Sequence, residues 1–180
     1  PETGEYEKLY KTEFRFADGS PAYTFSSYDY STVDTHFRWM SEYGIDGVFM
    51  QRFVSEISGE SGRRHFDKVL ANAMTAAKKY GRAICVMYDL SGMKSAGRDT
   101  VLNDIRRVAD EFQLFNRDGN PSYLYHNGRP LVTLWGVGFN DGRRYTVADA
   151  EYIVDSLRRM GFSVMLGVPA YWRDFGRDTE

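Results

Sequence analysis

A carboxylate that follows a short apolar run is the residue best placed for chemistry in this sequence. Residues 83–87 read Ala-Ile-Cys-Val-Met, and the chain then turns polar with Tyr88 and Asp89. A short apolar run between a predicted helix and a glycine is typical of a buried parallel strand. In parallel α/β folds, the loops that leave the carboxyl ends of the strands converge, and the chemistry is done there. Asp89 is therefore the first candidate for a catalytic acid or base.

Polar and aromatic side chains follow three further apolar runs in the same manner. They are Gln51 and Arg52 beyond residue 50, Trp135 beyond residue 134, and Tyr171 and Trp172 beyond residue 168. If the predicted strands are parallel neighbours, these side chains all face one rim of the sheet. A glycoside site needs an acid for the leaving oxygen and a base or nucleophile opposite it. Carboxylates among aromatic faces therefore indicate a sugar pocket.

Not every carboxylate near a strand end is a good candidate for catalysis. Glu56, Asp141 and Asp174 also follow predicted strands. Any chain that leaves a strand for a loop becomes polar, so solvation or helix capping explains these three residues better than catalysis does.

The elements that would position these residues repeat along the chain. Three junctions, at residues 42–44, 79–81 and 159–161, each end a predicted helix at a glycine and open a strand. Apolar spacing predicts helices at 31–43, 61–80, 99–115 and 146–160, and strands at 45–50, 83–87, 131–135 and 162–168. Ser31 and Asp34 fit a capping box. Residues 1–27 predict a short strand or an irregular arm with a turn at 18–21, and residues 126–128 predict another turn.

This serial repeat predicts an α/β fold with right-handed crossovers. An eight-stranded (β/α)8 barrel of the TIM type needs about 250 residues, so four strands form either a compact open sheet or part of a barrel. We favour a single domain over residues 1–180 that holds about half to two-thirds of a barrel. The first segment shows no clear strand before its helix, and the sequence stops just after a strand. The first and last strands of the barrel are therefore expected to be missing.

The composition excludes several classes of function. The 180 residues suit one domain, and the net charge is −2, with 23 basic residues spread among 25 acidic ones. Because no polybasic run occurs, we expect no binding to nucleic acid or anionic membranes. No segment is long and apolar enough to span a membrane. Aromatic residues make up 16% of the chain, which fits either stacking faces for sugars or an aromatic core.

The sequence contains no pattern for a metal or an organic cofactor. The three histidines lack metal-ligand spacing, and the single cysteine, Cys85, lies inside an apolar strand. Gly136 and Gly138 form a lone Gly-x-Gly without the rest of a dinucleotide fingerprint, so a flexible strand exit is the better interpretation. No Gly-x-Ser-x-Gly motif for a serine hydrolase is present. We therefore expect neither metal nor cofactor.

Three segments together resemble a known family. They are SSYDYSTVDTHFRWMSEYGIDGVFMQRF, VMYDLSGM and GRPLVTLWGVGF, and the resemblance runs from about residue 26 to residue 172. They resemble the bacterial glycoside hydrolase family 71/99-like proteins, relatives of endo-α-mannosidases and α-1,3-glucanases. The resemblance implies a (β/α)8 barrel and a secreted, periplasmic or cell-surface location.

The same resemblance implies where the catalytic acids lie. The family's acids stand at the end of the strand that matches VMYDLSGM, and Asp89 matches the first acidic position. Endo-α-mannosidase relatives carry a glutamate shortly afterwards, whereas this sequence has Leu90, Ser91 and Gly92. A second acid is therefore expected from another strand or from outside the chain.

We therefore expect a glycoside hydrolase with a carbohydrate substrate, in an oligomeric state that the sequence leaves open. Gln51, Arg52 and Tyr88 are expected to hold sugar hydroxyls. The stacking faces are expected from Trp135, Tyr171 and Trp172.

Two alternatives to this function remain. One is a non-catalytic glycan-binding barrel that keeps the aromatic faces and lacks the acid pair. The other is an open flavodoxin-like sheet that binds a small phosphorylated ligand. The second is disfavoured because no glycine-rich or hydroxyl-rich loop follows a strand.

Overall fold

The computed structural model describes residues 3–174, and the side chain of Asp174, named above, lies outside the described part. The strands are β1 (Tyr10–Arg15), β2 (Pro21–Thr24), β3 (Gly47–Phe53), β4 (Ala83–Asp89), β5 (Tyr125–His126), β6 (Arg129–Trp135) and β7 (Ser163–Gly167). The α-helices are α1 (Tyr30–Glu42), α2 (Val54–Ile57), α3 (Glu60–Tyr80), α4 (Arg98–Glu111) and α5 (Val147–Arg159). Within this part, no helix is long and apolar enough to cross a bilayer.

Four strands of the main sheet are parallel and adjacent in chain order. β3 pairs with β4, β4 with β6, and β6 with β7, all in parallel. The register places Asp89 beside Trp135, and Trp135 beside Gly167. The prediction of four neighbouring parallel strands, with Asp89 and Trp135 at the same end, is confirmed.

Residues 122–126, which include β5, separate the amino-terminal halves of β4 and β6. β5 pairs with the start of β6 in antiparallel orientation. Ser122 accepts a hydrogen bond from the backbone N–H of Ile84, and Leu124 bonds both Ile84 and Leu131 through its backbone. β4 and β6 therefore bond each other directly only in their carboxyl halves, from Val86 to Asp89 on β4.

The two faces of the main sheet have different surroundings. Residues whose register places them on one face join the core formed with α1, α3, α4 and α5; they are Val48, Met50, Arg52, Ile84, Val86, Tyr88, Val132 and Leu134. The opposite face carries Phe49, Gln51, Trp135 and Met165, and Phe49 and Met165 are 44% and 40% exposed. Parallel sheets are ordinarily covered on both faces. Within residues 3–174, helices cover one face of the main sheet only, and the opposite face is bare.

Both edges of this sheet lack a partner strand in residues 3–174. β3 bonds only β4, and the outer side of β7 bonds no strand. The described part is therefore an α/β fold with a mixed sheet and no closed barrel, which is consistent with a partial barrel.

The N-terminal segment forms a separate two-stranded sheet, in place of the single strand or irregular arm expected from the sequence. β1 and β2 pair antiparallel around the predicted turn. Tyr6 and Phe25, which flank this hairpin, stack at 4.8 Å between ring centroids, and the Tyr6 ring also contacts His36 and Trp39 of α1. The hairpin is therefore held on α1 and does not extend the main sheet.

The four predicted helices are present as α1, α3, α4 and α5, but α4 ends at Glu111 and not at residue 115, and one predicted cap is wrong. Thr146 and Asp149 form a capping box at the start of α5. The capping box predicted at Ser31 is absent, because α1 begins at Tyr30 and the carboxylate of Asp34 is engaged elsewhere. Asp34 accepts hydrogen bonds from Lys79 at 2.7 Å and from Tyr80 at 2.9 Å, both at the end of α3. It therefore joins two helices and does not cap one.

A charged cluster lies inside the helix-covered side of the sheet. Arg52 of β3 is 1% exposed, and its Nε and Nη2 donate to the two oxygens of Asp104 of α4 at 2.8 Å each. The hydroxyl of Tyr88 donates to the same carboxylate at 2.8 Å. Asp67 of α3 and Arg107 of α4 extend the cluster towards the surface. These contacts join two strands to two helices.

The cluster keeps Asp104 ionised. Burial by itself would raise the pKa of Asp104, but hydrogen bonds and charge from Arg52, with help from Arg107 and Tyr88, lower it below the ordinary value. A lowered pKa means that this contribution to stability is complete at neutral pH and is lost as the pH falls through that pKa.

Asp104→Asn is expected to lower the free energy of unfolding by about 3 kcal/mol, because it removes the buried carboxylate that binds both Nε and Nη2 of Arg52 and leaves only the Asp67 contact at Nη2. Urea unfolding followed by circular dichroism measures the change. Glu111→Gln is the matched control, because Glu111 accepts from Arg107 at the exposed end of the same cluster. We expect it to cost under about 0.5 kcal/mol. Equal losses of unfolding free energy in the two variants would show that the buried Arg52–Asp104 pair contributes no more to stability than the exposed pair.

Candidate functional site

Asp89 stands at the carboxyl end of β4, on the bare face of the sheet. Its side chain is almost fully buried, with the residue 4% exposed. Oδ2 accepts a hydrogen bond from Nε2 of Gln51 on the neighbouring strand β3. Oδ1 accepts from the backbone N–H of Ser91 at 2.7 Å. Two donors from different segments therefore fix the direction in which this carboxylate points.

Gln51 contacts Asp89. The sequence predicted that it holds sugar hydroxyls, whereas its amide nitrogen is engaged with Asp89. The register pairs Gln51 with Met87 and Phe53 with Asp89, so the Gln51 side chain reaches diagonally across the strand pair. Gln51 is exposed, and its carbonyl oxygen can still face a ligand. Its amide nitrogen helps to fix the orientation of the Asp89 carboxylate.

Trp135 lies beside Asp89 and presents its indole on the bare face. The indole covers Gly167 so closely that a Cβ at position 167 would lie 2.1 Å from Cε3 of Trp135. The absence of a side chain at Gly167 therefore allows the indole to lie across β7. Trp135 is 42% exposed, and the ring of Phe139 lies 5.8 Å from it between centroids. These two rings form an exposed aromatic surface next to the carboxylate.

The loop between β6 and α5 is held against the same rim by Tyr145. The Tyr145 hydroxyl donates to the carbonyl oxygen of Gly136 at 2.6 Å and accepts from Nη1 of Arg143 at 2.6 Å. Arg143 in turn donates hydrogen bonds from Nε and Nη2 to the carboxylate of Asp141, at 2.7 and 3.0 Å. Burial raises the pKa of Tyr145, Arg143 opposes that shift, and the charges of Asp141 and Asp89 add to it. The phenol is therefore protonated at neutral pH.

The structure corrects the predicted positions of Arg52 and Tyr88. Both were expected to hold sugar hydroxyls, but Arg52 is 1% exposed and Tyr88 is 0% exposed. They are register partners on the helix-covered face and both bind Asp104. Side chains alternate along a strand, so the neighbours of Gln51 and Asp89 must point away from the rim.

The two aromatic residues beyond β7 lie in different places. The Tyr171 hydroxyl accepts from the backbone N–H of Asn140 at 3.4 Å, which puts it beside the loop that carries Phe139. Trp172 lines a groove on the helix-covered side, together with Val154 and Leu166. The structure therefore brings Tyr171, but not Trp172, towards the aromatic surface at Trp135.

Within the described part of the chain, Asp89 is the carboxylate that lies on the bare face beside an aromatic ring. Asp141 is bound to Arg143, and Glu56 lies on α2 and is exposed. Cys85 lies below Asp89 and is fully buried, and burial raises the pKa of its thiol to about 12. Residues 3–174 contain no group of three or more possible metal ligands.

The sequence did not point to Phe139, Arg143 or Tyr145. These residues lie in a loop whose sequence signals were the Gly136-Val137-Gly138 exit and Asp141. The glycine at position 136 is the informative residue, because its φ is +108° and a Cβ there would meet Arg143 Nη1 at 2.4 Å and Tyr145 at 2.9 Å. It marks a close approach of a loop to a strand end.

Comparisons with known proteins do not assign a family to this chain. No family model matches it, and no curated protein matches it. Among solved structures it is similar to a glycoside hydrolase family 99 endo-α-mannosidase from Bacteroides thetaiotaomicron, with a TM-score of 0.47 and 20% identity. The similar region covers 68% of this chain and 32% of that chain. A likeness at this level does not establish function.

Gly136→Ala is expected to destabilise the protein more than Gly142→Ala, its matched control in the same loop. Both glycines have positive φ, at +108° and +76°, but a Cβ at 142 meets nothing within 4 Å. The control should cost about 1 kcal/mol for backbone strain alone. Gly136→Ala should cost about 1–3 kcal/mol more, because it also displaces Arg143 and the buried Tyr145 hydroxyl. Chemical unfolding measures the free energy of unfolding of both variants. Equal costs would contradict the tight packing of Arg143 and Tyr145 against Gly136.

Proposed function

We propose that this chain is the carboxylate-bearing part of a glycan-acting hydrolase of (β/α) barrel type. The observation that carries the proposal is the position of Asp89. Its carboxylate lies on the bare face of a parallel sheet, at the carboxyl end of the strands and beside the exposed indole of Trp135. In parallel α/β folds this end is where ligands bind. A location outside the cytoplasm, which the sequence resemblance implies, belongs to the same proposal.

The chemistry follows from what each side chain offers. Asp89 accepts hydrogen bonds at both oxygens, so it is oriented to take a proton from water or a hydroxyl, or to attack a sugar carbon. Trp135, with Phe139 beside it, offers an apolar face to a sugar ring. Gln51 holds the carboxylate in place. The proton donor for the leaving oxygen would be a second acid from outside residues 3–174.

A glycan-binding protein without hydrolysis is the second candidate. The observation that favours it is that the described part of the chain places one carboxylate, Asp89, beside the exposed aromatic surface, whereas hydrolysis needs two. The same aromatic surface would then serve recognition alone. Measuring turnover and binding separately distinguishes the two functions.

Asp89→Asn is expected to lower hydrolysis of the protein's glycan by roughly 10²–10⁴-fold, because the amide keeps the shape but cannot exchange a proton. The measurement is the release of reducing ends from a panel of polysaccharides that includes α-mannan and α-1,3-glucan. Asp110→Asn, an exposed carboxylate at the far end of α4, is the matched control and should leave the rate unchanged. An unchanged rate in Asp89→Asn would make Asp89 a spectator. Binding without hydrolysis by the unaltered protein would favour the second candidate.

Trp135→Ala is expected to weaken binding of the same glycan about tenfold, through loss of an aromatic face. Isothermal titration or affinity electrophoresis gives the dissociation constants. Trp172→Ala is the control, because that indole is similarly exposed but lies on the helix-covered side. If the control weakens binding as much as Trp135→Ala does, the aromatic surface at Trp135 is not the sugar platform.

A further inference from the structure

Two basic residues of neighbouring loops are held side by side at the carboxyl end of the sheet. Lys94 lies in the loop after β4, residues 90–97, and Arg144 lies in the loop after β6, residues 136–146; a parallel backbone bridge joins the two positions. Neighbouring strands are about 4.8 Å apart at such a bridge. Both side chains are exposed, and neither makes a hydrogen bond or an ion pair within residues 3–174. The bridge therefore places two cations that repel each other close together.

The nearby carboxylates do not neutralise this cationic pair. The two loops contain three basic residues and one acidic residue, Asp141, so they carry a net charge of +2 in a chain whose net charge is −2. Asp141 is bound by Nε and Nη2 of Arg143. Asp149, at the start of α5, lies 3.6 Å from Nη1 of Arg98. The counter-charge for Lys94 and Arg144 is therefore expected from a ligand.

A cavity between the two loops lies beside the cationic pair. Its volume is about 380 Å³, and residues 91–93 and 141–145 line it. A cavity of this size is large enough for a small ligand or one unit of a longer one. Ser91 links the cavity to the candidate carboxylate, because its backbone N–H donates to Asp89 at 2.7 Å. Trp135 is the register partner of Asp89, so a ligand on the indole can extend into the cavity.

The two cations suit an anion with several oxygens. The ammonium group of lysine has three donors, and the guanidinium group of arginine has five in a planar fork. Both form charge-assisted hydrogen bonds with carboxylate, sulfate or phosphate oxygens. One such group can accept from Lys94 and Arg144 together and offset their mutual repulsion, whereas a neutral sugar leaves both charges unpaired.

We propose that the glycan is acidic and that its sulfate, phosphate or carboxylate group binds between Lys94 and Arg144, beside Asp89. This inference rests on the proposed function, because it names the class of glycan that the same end of the sheet would bind. The aromatic surface at Trp135 would hold a sugar ring, and the cationic pair would hold the charged substituent.

The test compares neutral polymers with charged forms of the same polymers. α-Mannan and α-1,3-glucan are each sulfated, phosphorylated or oxidised to carry carboxylates, and biolayer interferometry measures their binding to the purified chain in about 0.15 M salt. At least one charged form should bind about tenfold more tightly than its neutral parent, and the three forms identify the anion. Equal affinity for charged and neutral forms would overturn the inference.

A double variant locates the preference for charge. Lys94→Gln/Arg144→Gln should abolish the preference and leave the binding of the neutral parent unchanged. Lys68→Gln/Lys78→Gln is the matched control, because it removes two exposed charges from α3 and should keep the preference. A preference that survives the first variant, or that the control also loses, would overturn the inference.

Chemical shifts of the unaltered chain give a test that needs no variant. Glucose 6-sulfate, glucose 6-phosphate or glucuronate should shift the backbone amide signals of residues 91–94 and 142–145, and glucose should leave them in place. This result decides the case if the double variant does not fold, as judged by circular dichroism. Shifts of equal size along α3 would overturn the inference.

The outcome separates this inference from the proposed function. If Trp135→Ala weakens binding of the neutral polymer and the charged forms bind no better than it does, the sugar platform stands and the cationic pair is not a binding site. If a charged form binds through Lys94 and Arg144 while Trp135→Ala changes nothing, the anion site stands and the sugar platform falls.

Discussion

The buried contact between the Arg52 guanidinium and the Asp104 carboxylate determines how the rest of the sheet is presented. It joins an edge strand to α4, and Tyr88 adds the neighbouring strand through the same carboxylate. A slip of one residue along β3 would turn Arg52 onto the bare face and carry Gln51 under the helices. A buried charge without its partner is costly, so this cluster opposes such a slip. Gln51 therefore stays on the bare face, where it meets Asp89.

The bare face and the candidate site are two aspects of one arrangement. Helices cover one side of a parallel sheet, and the uncovered side carries Phe49, Met165 and the indole of Trp135 beside a nearly buried carboxylate. An apolar surface of this kind, with one oriented polar group, suits a ligand with both flat apolar faces and hydroxyls. Sugars have this mixed character. The same surface also suits further elements of a barrel.

Much of the architecture could be predicted from the sequence, because periodicity and glycine junctions are local signals. The four strands, their parallel order and the placement of Asp89 beside Trp135 follow from them. The side on which each residue points was harder to predict. Gln51 and Arg52 are adjacent, as are Tyr88 and Asp89, and in a strand such pairs cannot share a face. The alternation was available in the sequence, but which member faced the helices depended on Asp104, about fifty residues beyond Arg52 along the chain. The loop with Arg143 and Tyr145 was missed because its shape depends on a distant strand end.

The hairpin formed by β5 and β6 has a practical consequence for studying the molecule. Its tip, at Asn127, lies at the amino end of β6, whereas Asp89 and Trp135 lie at the carboxyl end. Cys85, the single cysteine of the sequence, is fully buried, and its thiol has a pKa of about 12. A cysteine introduced at Asn127 would therefore be the one thiol that reacts with a maleimide at neutral pH. A dye or a solid support could be attached there, with the length of the sheet between the label and the rim.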